Sequence, residues 1–157
     1  MIAANRSRIT TKDSHSMILT KRILLLEDSV LLNSMIEEFL AVNCYEVVAV
    51  SNGVEGLRAV LKEDFDFIIC DMVMPKLPGD MFYLSVKRMK PHLCSRFIFI
   101  TGYACDPKII NFIKHVNGIV LLKPFHMEDL LEAVTSVQVK TPIGRKPPTT
   151  KASPAAS

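Results

Sequence analysis

The chain has 157 residues, 49% of them apolar, which suits one domain with a full core. No apolar run approaches the ~20 residues of a membrane span, and the N-terminus lacks the apolar core of a secretory signal. The net charge of +3 is carried at the ends: residues 1–22 hold +4, residues 138–157 hold +4, and 23–137 hold −5, so a basic nucleic-acid face on the folded part is excluded.

Residues 1–21 scatter Arg6, Arg8, Lys12 and Asp13 among Ser and Thr and read as a basic, flexible extension. Ile23-Leu24-Leu25-Leu26 is short, apolar and non-alternating, the pattern of a strand buried on both faces. It stops at Glu27-Asp28. Ser29 caps a helix through about Val42, with Leu32, Met35, Ile36, Phe39 and Leu40 at helical spacing. Tyr45–Val50 is a second strand, and Asn52-Gly53 opens a helix carrying Val54, Leu57, Val60 and Leu61. The third strand, Phe67-Ile68-Ile69-Cys70, runs into Asp71. Pro75 and Pro78 then bar a helix until about Asp80–Met89, which Pro91 closes. Phe97–Ile100 runs into Thr101-Gly102. Asp106-Pro107 has the form of a helix start, and that helix runs to about Val116, where Asn117-Gly118 stops it. Ile119–Leu122 is the fifth strand and ends at Lys123-Pro124. A last helix spans roughly Met127–Val137. From Val139 on, five prolines and glycines mix with Ser, Thr and Lys, and residues 139–157 read as a basic, disordered tail.

Five strand–helix pairs in regular alternation imply an α/β fold, a parallel sheet with helices on both faces. The carboxyl ends of such strands line one edge, where ligands bind. Glu27, Asp28, Asp71, Thr101 and Lys123 therefore meet in one cleft. Clustered carboxylates repel one another when ionised, and a hard divalent cation removes that conflict. Mg²⁺ takes oxygen ligands and keeps several waters, so two carboxylates and a carbonyl suffice. Asp71 is the natural nucleophile, able to hold a phosphoryl group as an acyl phosphate. Lys123 supplies a cation and the Thr101 hydroxyl a hydrogen bond, and Gly102 leaves room for the group to enter. A buried Lys123 needs an anionic partner. The proline after it holds the turn, in an isomer the sequence leaves open. The cysteines Cys44, Cys70, Cys94 and Cys105 show no CxxC pair or metal spacing and read as structural thiols of a reducing cytoplasm. His15, His92, His115 and His126 lack metal-ligand neighbours and read as surface residues.

Arg22-Ile-Leu-Leu-Leu-Glu-Asp-Ser29, Asp71-Met-Val-Met-Pro-Lys-Leu-Pro-Gly79, Thr101-Gly-Tyr103 and Lys123-Pro-Phe125 resemble the motifs of the receiver domain of two-component response regulators, in particular the single-domain, chemotaxis-regulator type. The resemblance covers residues 22–138 and implies a flavodoxin-like (βα)5 doubly wound sandwich with strand order 2-1-3-4-5. It implies that Asp71 takes phosphate from a histidine kinase or phosphotransfer protein. Glu27, Asp28, Asp71 and the Val73 carbonyl would then bind Mg²⁺, and Thr101 and Lys123 would sense the phosphate. Receivers usually place Tyr or Phe three residues before the lysine, as a switch that turns inward. Here that position is Val120, which has no ring to bury. Tyr103 is either a substitute or a cover over the cleft rim. Val73 and Tyr103 hold the two positions that tune phosphoryl lifetime in this family, and neither side chain can hold a water for in-line attack as a carboxylate or amide can.

No second domain follows, so no DNA-binding or catalytic output is expected within the chain. It would act on an output protein, or pair with a second copy, through the face formed by residues 105–138. It would catalyse only its own phosphorylation and dephosphorylation. One alternative is a receiver excised from a hybrid histidine kinase. Another is an aspartate-nucleophile phosphatase, which needs a second acid two residues after its nucleophile, where this chain has Val73.

Overall fold

Three of the apolar runs become the middle of the sheet, where both faces of each are buried. In a computed structural model, which describes residues 20–116 and 118–140, these are β1 (Lys21–Leu26), β3 (Phe67–Asp71) and β4 (Phe97–Thr101). They are flanked by β2 (Tyr45–Val50) and β5 (Ile119–Leu122), giving the parallel order β2-β1-β3-β4-β5. Register is set by pairs such as Leu26↔Val50, Leu26↔Cys70, Cys70↔Phe99 and Phe99↔Val120. The five helices are α1 (Val30–Val42), α2 (Gly53–Lys62), α3 (Gly79–Met89), α4 (Pro107–His115) and α5 (Met127–Lys140). This is the expected doubly wound α/β architecture, in the expected strand order.

Alternate residues of each strand point to opposite faces, so the core divides in two. Ile23, Leu25, Phe67, Ile69, Ile98 and Ile100 pack under α1 and α5 with Ile36, Leu40, Leu130 and Val134. Leu24, Leu26, Ile68, Cys70, Phe97 and Phe99 pack on the other face with Val60, Phe82, Tyr83 and Ile109 from α2, α3 and α4. Each such side chain contributes about 1.5–3 kcal/mol by leaving water. The second cluster is aromatic at its centre. Phe97 stacks on Phe99 at 5.3 Å between centroids, Tyr83 meets Phe97 edge-on at 5.0 Å, and Phe112 meets Phe99 edge-on at 5.3 Å.

At the amino edge of the sheet the Arg22 guanidinium pairs with Glu46 and Glu63 and lies over the Phe65 ring. The Asp66 carboxylate accepts the Arg22 amide at 2.7 Å. These contacts tie β1 to the start of β2 and to the segment leading into β3, at the end of the sheet opposite the cleft.

Several local expectations need correction. Ile119–Leu122, an unbroken apolar run like Ile23–Leu26, is not buried on both faces as that pattern implies. β5 is the last strand of the sheet, its residues are half-buried, and Leu122 is 53% exposed. Met35 and Leu61 are 49% and 65% exposed, because the buried stripes run through Ile36–Leu40 on α1 and through Gly53, Gly56 and Val60 on α2. Pro91 closes α3 but also opens a 3-10 turn, Pro91–Arg96, that sequence reading does not show. α5 continues past Val137 to Lys140, so residues 139 and 140 are helix rather than tail. His92, His115 and His126 are exposed as expected. His15 and nearly all of the two basic extensions lie outside the described residues. Cys44 and Cys105 are exposed, Cys94 is half-buried and Cys70 is buried.

Candidate functional site

The strand ends converge as the apolar runs predict. Glu27 directly follows β1, Asp71 ends β3 and Thr101 ends β4, and all three are at most 4% exposed. Lys123, one residue past β5, reaches inward. Its Nζ donates to Asp71 Oδ2 at 2.7 Å and to Glu27 Oε2 at 3.0 Å. The remaining carboxylate oxygens are held by backbone: the Val73 amide donates to Asp71 Oδ1, and the Ser29 amide to Glu27 Oε1, both at 2.9 Å. Asp28 is exposed on the rim. Carboxylate oxygens of Glu27, Asp28 and Asp71 lie within 4.8 Å of one another.

Three carboxylates face one ammonium, which leaves a formal surplus of two negative charges in a partly dry pocket. Burial pushes the Glu27 carboxyl above its ordinary range, against the Ser29 amide and Lys123, and the neighbouring Asp71 charge adds to the rise. Burial alone would lower the Lys123 ammonium. The hydrogen bonds to Asp71 and Glu27 outweigh it, so its pKa is raised. Glu27 thus rises chiefly through burial, and Lys123 through its two anionic partners. A hard divalent cation on this all-oxygen set would cancel the surplus, and the donors suit Mg²⁺.

The positions expected to modulate the site lie at differing depths. Thr101 is fully buried, and its Oγ1 accepts the Tyr103 amide at 3.0 Å. The Tyr103 side chain is 58% exposed and Val73 is 44% exposed, so both stand at the rim. Val120 is half-buried and packs with the aromatic cluster, level with Phe99. A Cβ built on Gly102 would meet nothing nearer than Lys123 Cβ at 3.8 Å, so the fold leaves open space there.

Gly79, which the sequence marks only as the end of the loop, is sterically demanded beside the site. Its Cβ would stand 2.6 Å from the Asp71 carbonyl oxygen and 2.8 Å from Met72 Cα. The loop between Asp71 and α3 is thus folded tightly onto the strand end. The Cys70 thiol lies beside it and donates to the Asp71 carbonyl at 3.3 Å, and burial raises its pKa well above the ordinary value. Lys123-Pro124 is a cis peptide. Among the described residues no helix is long and apolar enough to cross a membrane.

The chain is similar to known response regulator receivers. The response regulator receiver protein CpdR of Brucella abortus is 29% identical over 119 residues, covering 76% of this chain and 98% of that relative. The transcriptional regulatory protein RprY of Bacteroides fragilis is 28% identical, but the chain spans only 48% of its length. Among solved structures, a response regulator receiver domain from Clostridium thermocellum superposes with a TM-score of 0.69 at 29% identity, covering 76% of this chain and 95% of that one. The match to the response regulator receiver domain runs from residue 23 to residue 135 and takes in all five strands, the acidic cluster and Lys123; the chain belongs to that family.

Proposed function

We propose that this protein is a phosphoacceptor that takes a phosphoryl group on Asp71 from the phosphohistidine of a histidine kinase or phosphotransfer protein. The observation that carries this reading is the single ammonium of Lys123 shared between buried Asp71 and Glu27, in a pocket with surplus negative charge. An Asp71 carboxylate oxygen attacks phosphorus, the N–P bond breaks, and the imidazole leaves with the electron pair. Lys123 stays within reach of the new phosphoryl oxygens, and the Thr101 hydroxyl can turn from the Tyr103 amide to donate to one of them. Glu27, Asp28, Asp71 and the Val73 carbonyl would hold Mg²⁺, which when bound supplies the positive charge that phosphoryl transfer requires. The change in Thr101 and Lys123 then biases a pre-existing equilibrium of the 105–138 face, through which an output protein or a second copy is engaged. We assign the receiver to residues 21–140, from the start of β1 to the end of α5, with the basic segments on either side as extensions, and its site of action to the cytoplasm.

Treatment with acetyl phosphate and Mg²⁺ tests this. One acid-resistant, base-labile phosphoryl adduct is expected by mass spectrometry. Steady release of phosphate from phosphate esters, with no adduct, would instead make the chain a phosphatase.

Two further results are expected. Mg²⁺ should raise the melting temperature, since relief of carboxylate repulsion is linked to folding. At a hundredfold excess over Kd the gain is about 2.7 kcal/mol. In Asp28→Ala that response should largely vanish, and an unchanged response would remove Asp28 from the site. The second concerns lifetime. Val73 and Tyr103 provide no carboxylate or amide to orient an attacking water, so the phosphoryl group should be long-lived. Val73→Asn combined with Tyr103→Glu should speed its loss about tenfold, or roughly 1.4 kcal/mol in barrier. Equal decay in both proteins would mean that Lys123, Thr101 or the metal sets the rate.

A further inference from the structure

The β1–β2 ladder ends at Leu26↔Val50, one residue before the acidic pair, so the backbone that carries Glu27 and Asp28 needs some other restraint. The Glu27 amide finds one by donating to the Val50 carbonyl at 3.2 Å. Its carbonyl finds another in Asn33, in the first turn of α1. Asn33 Nδ2 donates to the Glu27 carbonyl at 2.9 Å and to the Val50 carbonyl at 3.3 Å. A side-chain amide has two N–H donors, and both are used here, on the ends of two adjacent strands. Asparagine is a poor helix former, so local propensity does not explain its place in α1.

The Glu27 carbonyl shares one rigid peptide plane with the Asp28 amide. Holding that oxygen sets the direction in which the chain leaves toward Asp28. The Ser29 amide and Lys123 already fix the Glu27 carboxylate. Asn33 therefore completes the restraint on the pair, from a helix that contributes no carboxylate of its own to the pocket.

We propose that Asn33 is a positioning residue for the acidic pair: it sets the angle between the Glu27 and Asp28 carboxylates, and through it the affinity for Mg²⁺. The proposal rests on reading Glu27, Asp28 and Asp71 as the Mg²⁺ ligands. Losing a partner that orients a ligand typically costs 10- to 100-fold in metal affinity, which is larger than a merely structural contact on the far side of the helix would give.

Calorimetric titration of the full chain with Mg²⁺ tests it. Asn33→Leu, close in volume but without donors, should weaken binding about tenfold or more. Ile36→Val, in the fully buried face of the same helix, should lower the melting temperature and leave the Mg²⁺ Kd unchanged. Asn33→Ser, with one donor on a shorter arm, should fall between wild type and Asn33→Leu, and it decides the question if the leucine variant does not fold. A Kd within twofold of wild type in Asn33→Leu, or in Asn33→Ser if that is the variant available, overturns the proposal. A wild-type chain that binds no Mg²⁺ overturns the metal reading itself, a distinct and separately visible result.

Discussion

Asp71→Asn should take up no phosphoryl group from acetyl phosphate while keeping its fold. The amide matches the carboxylate in shape, and its oxygen can still accept the Val73 amide that now bonds Asp71 Oδ1. It is neutral, however, and a poor nucleophile toward phosphorus. The Lys123 ammonium, now 2.7 Å from Asp71 Oδ2 and 3.0 Å from Glu27 Oε2, loses one of its two anions and should shift toward Glu27. The expected readout is an unchanged intact mass under conditions that modify wild type fully, with a circular dichroism spectrum like that of wild type. An adduct at full level in this variant would move the nucleophile to another carboxylate and break the assignment of roles around Lys123.

The largest stability effect should come from Phe97→Ala. Phe97 is fully buried in the interior strand β4, and its ring contacts Phe82, Tyr83 and Phe99 at centroid distances of 5.9, 5.0 and 5.3 Å. Removing it loses the transfer energy of the ring and leaves a cavity that rigid aromatic neighbours fill poorly. The cost should be about 3–5 kcal/mol, a large share of the roughly 5–15 kcal/mol that holds a domain together. Leu122→Ala, on the half-exposed edge strand, should cost far less, on the order of 0.5 kcal/mol. Urea unfolding of the two variants checks the contrast. Similar midpoints would mean that the aromatic cluster is not the centre of the core.

The sequence made the cleft legible because polar residues stand where apolar runs stop. A strand end is a position that topology alone brings to one edge, so Glu27, Asp71, Thr101 and Lys123 could be gathered without any contact information. The exposed faces were harder. Met35 and Leu61 share helical spacing with buried neighbours, yet the buried stripe of α2 is centred on Gly53 and Gly56, which carry no hydropathy signal. Cβ atoms there would come within 2.5 Å of the Leu77 carbonyl oxygen and Leu26 Cδ2. Close approach of neighbouring elements, rather than hydrophobicity, fixes that face. Asn33 escaped notice for a related reason. Its partners are backbone carbonyls, which every residue possesses, so no residue type or spacing marks the contact. The partial exposure of β5 follows from its place at the end of the strand order, a property of the whole sheet that the local pattern of Ile119–Leu122 does not encode.

The different depths of the cysteines give the molecule built-in chemical addresses. Cys44 lies in the short connection from α1 to β2, and Cys105 in the loop from β4 to α4, so the two exposed thiols mark opposite poles of the parallel sheet. A water-soluble alkylating reagent should reach both in the native protein, one beside the cleft and one remote from it. Cys70 is sealed against the Asp71 carbonyl and Gly79, and the reagent reaches it only when the strand ends come apart. The rate of its alkylation therefore measures how often the centre of the sheet opens, while Cys44 supplies the internal standard in the same tube.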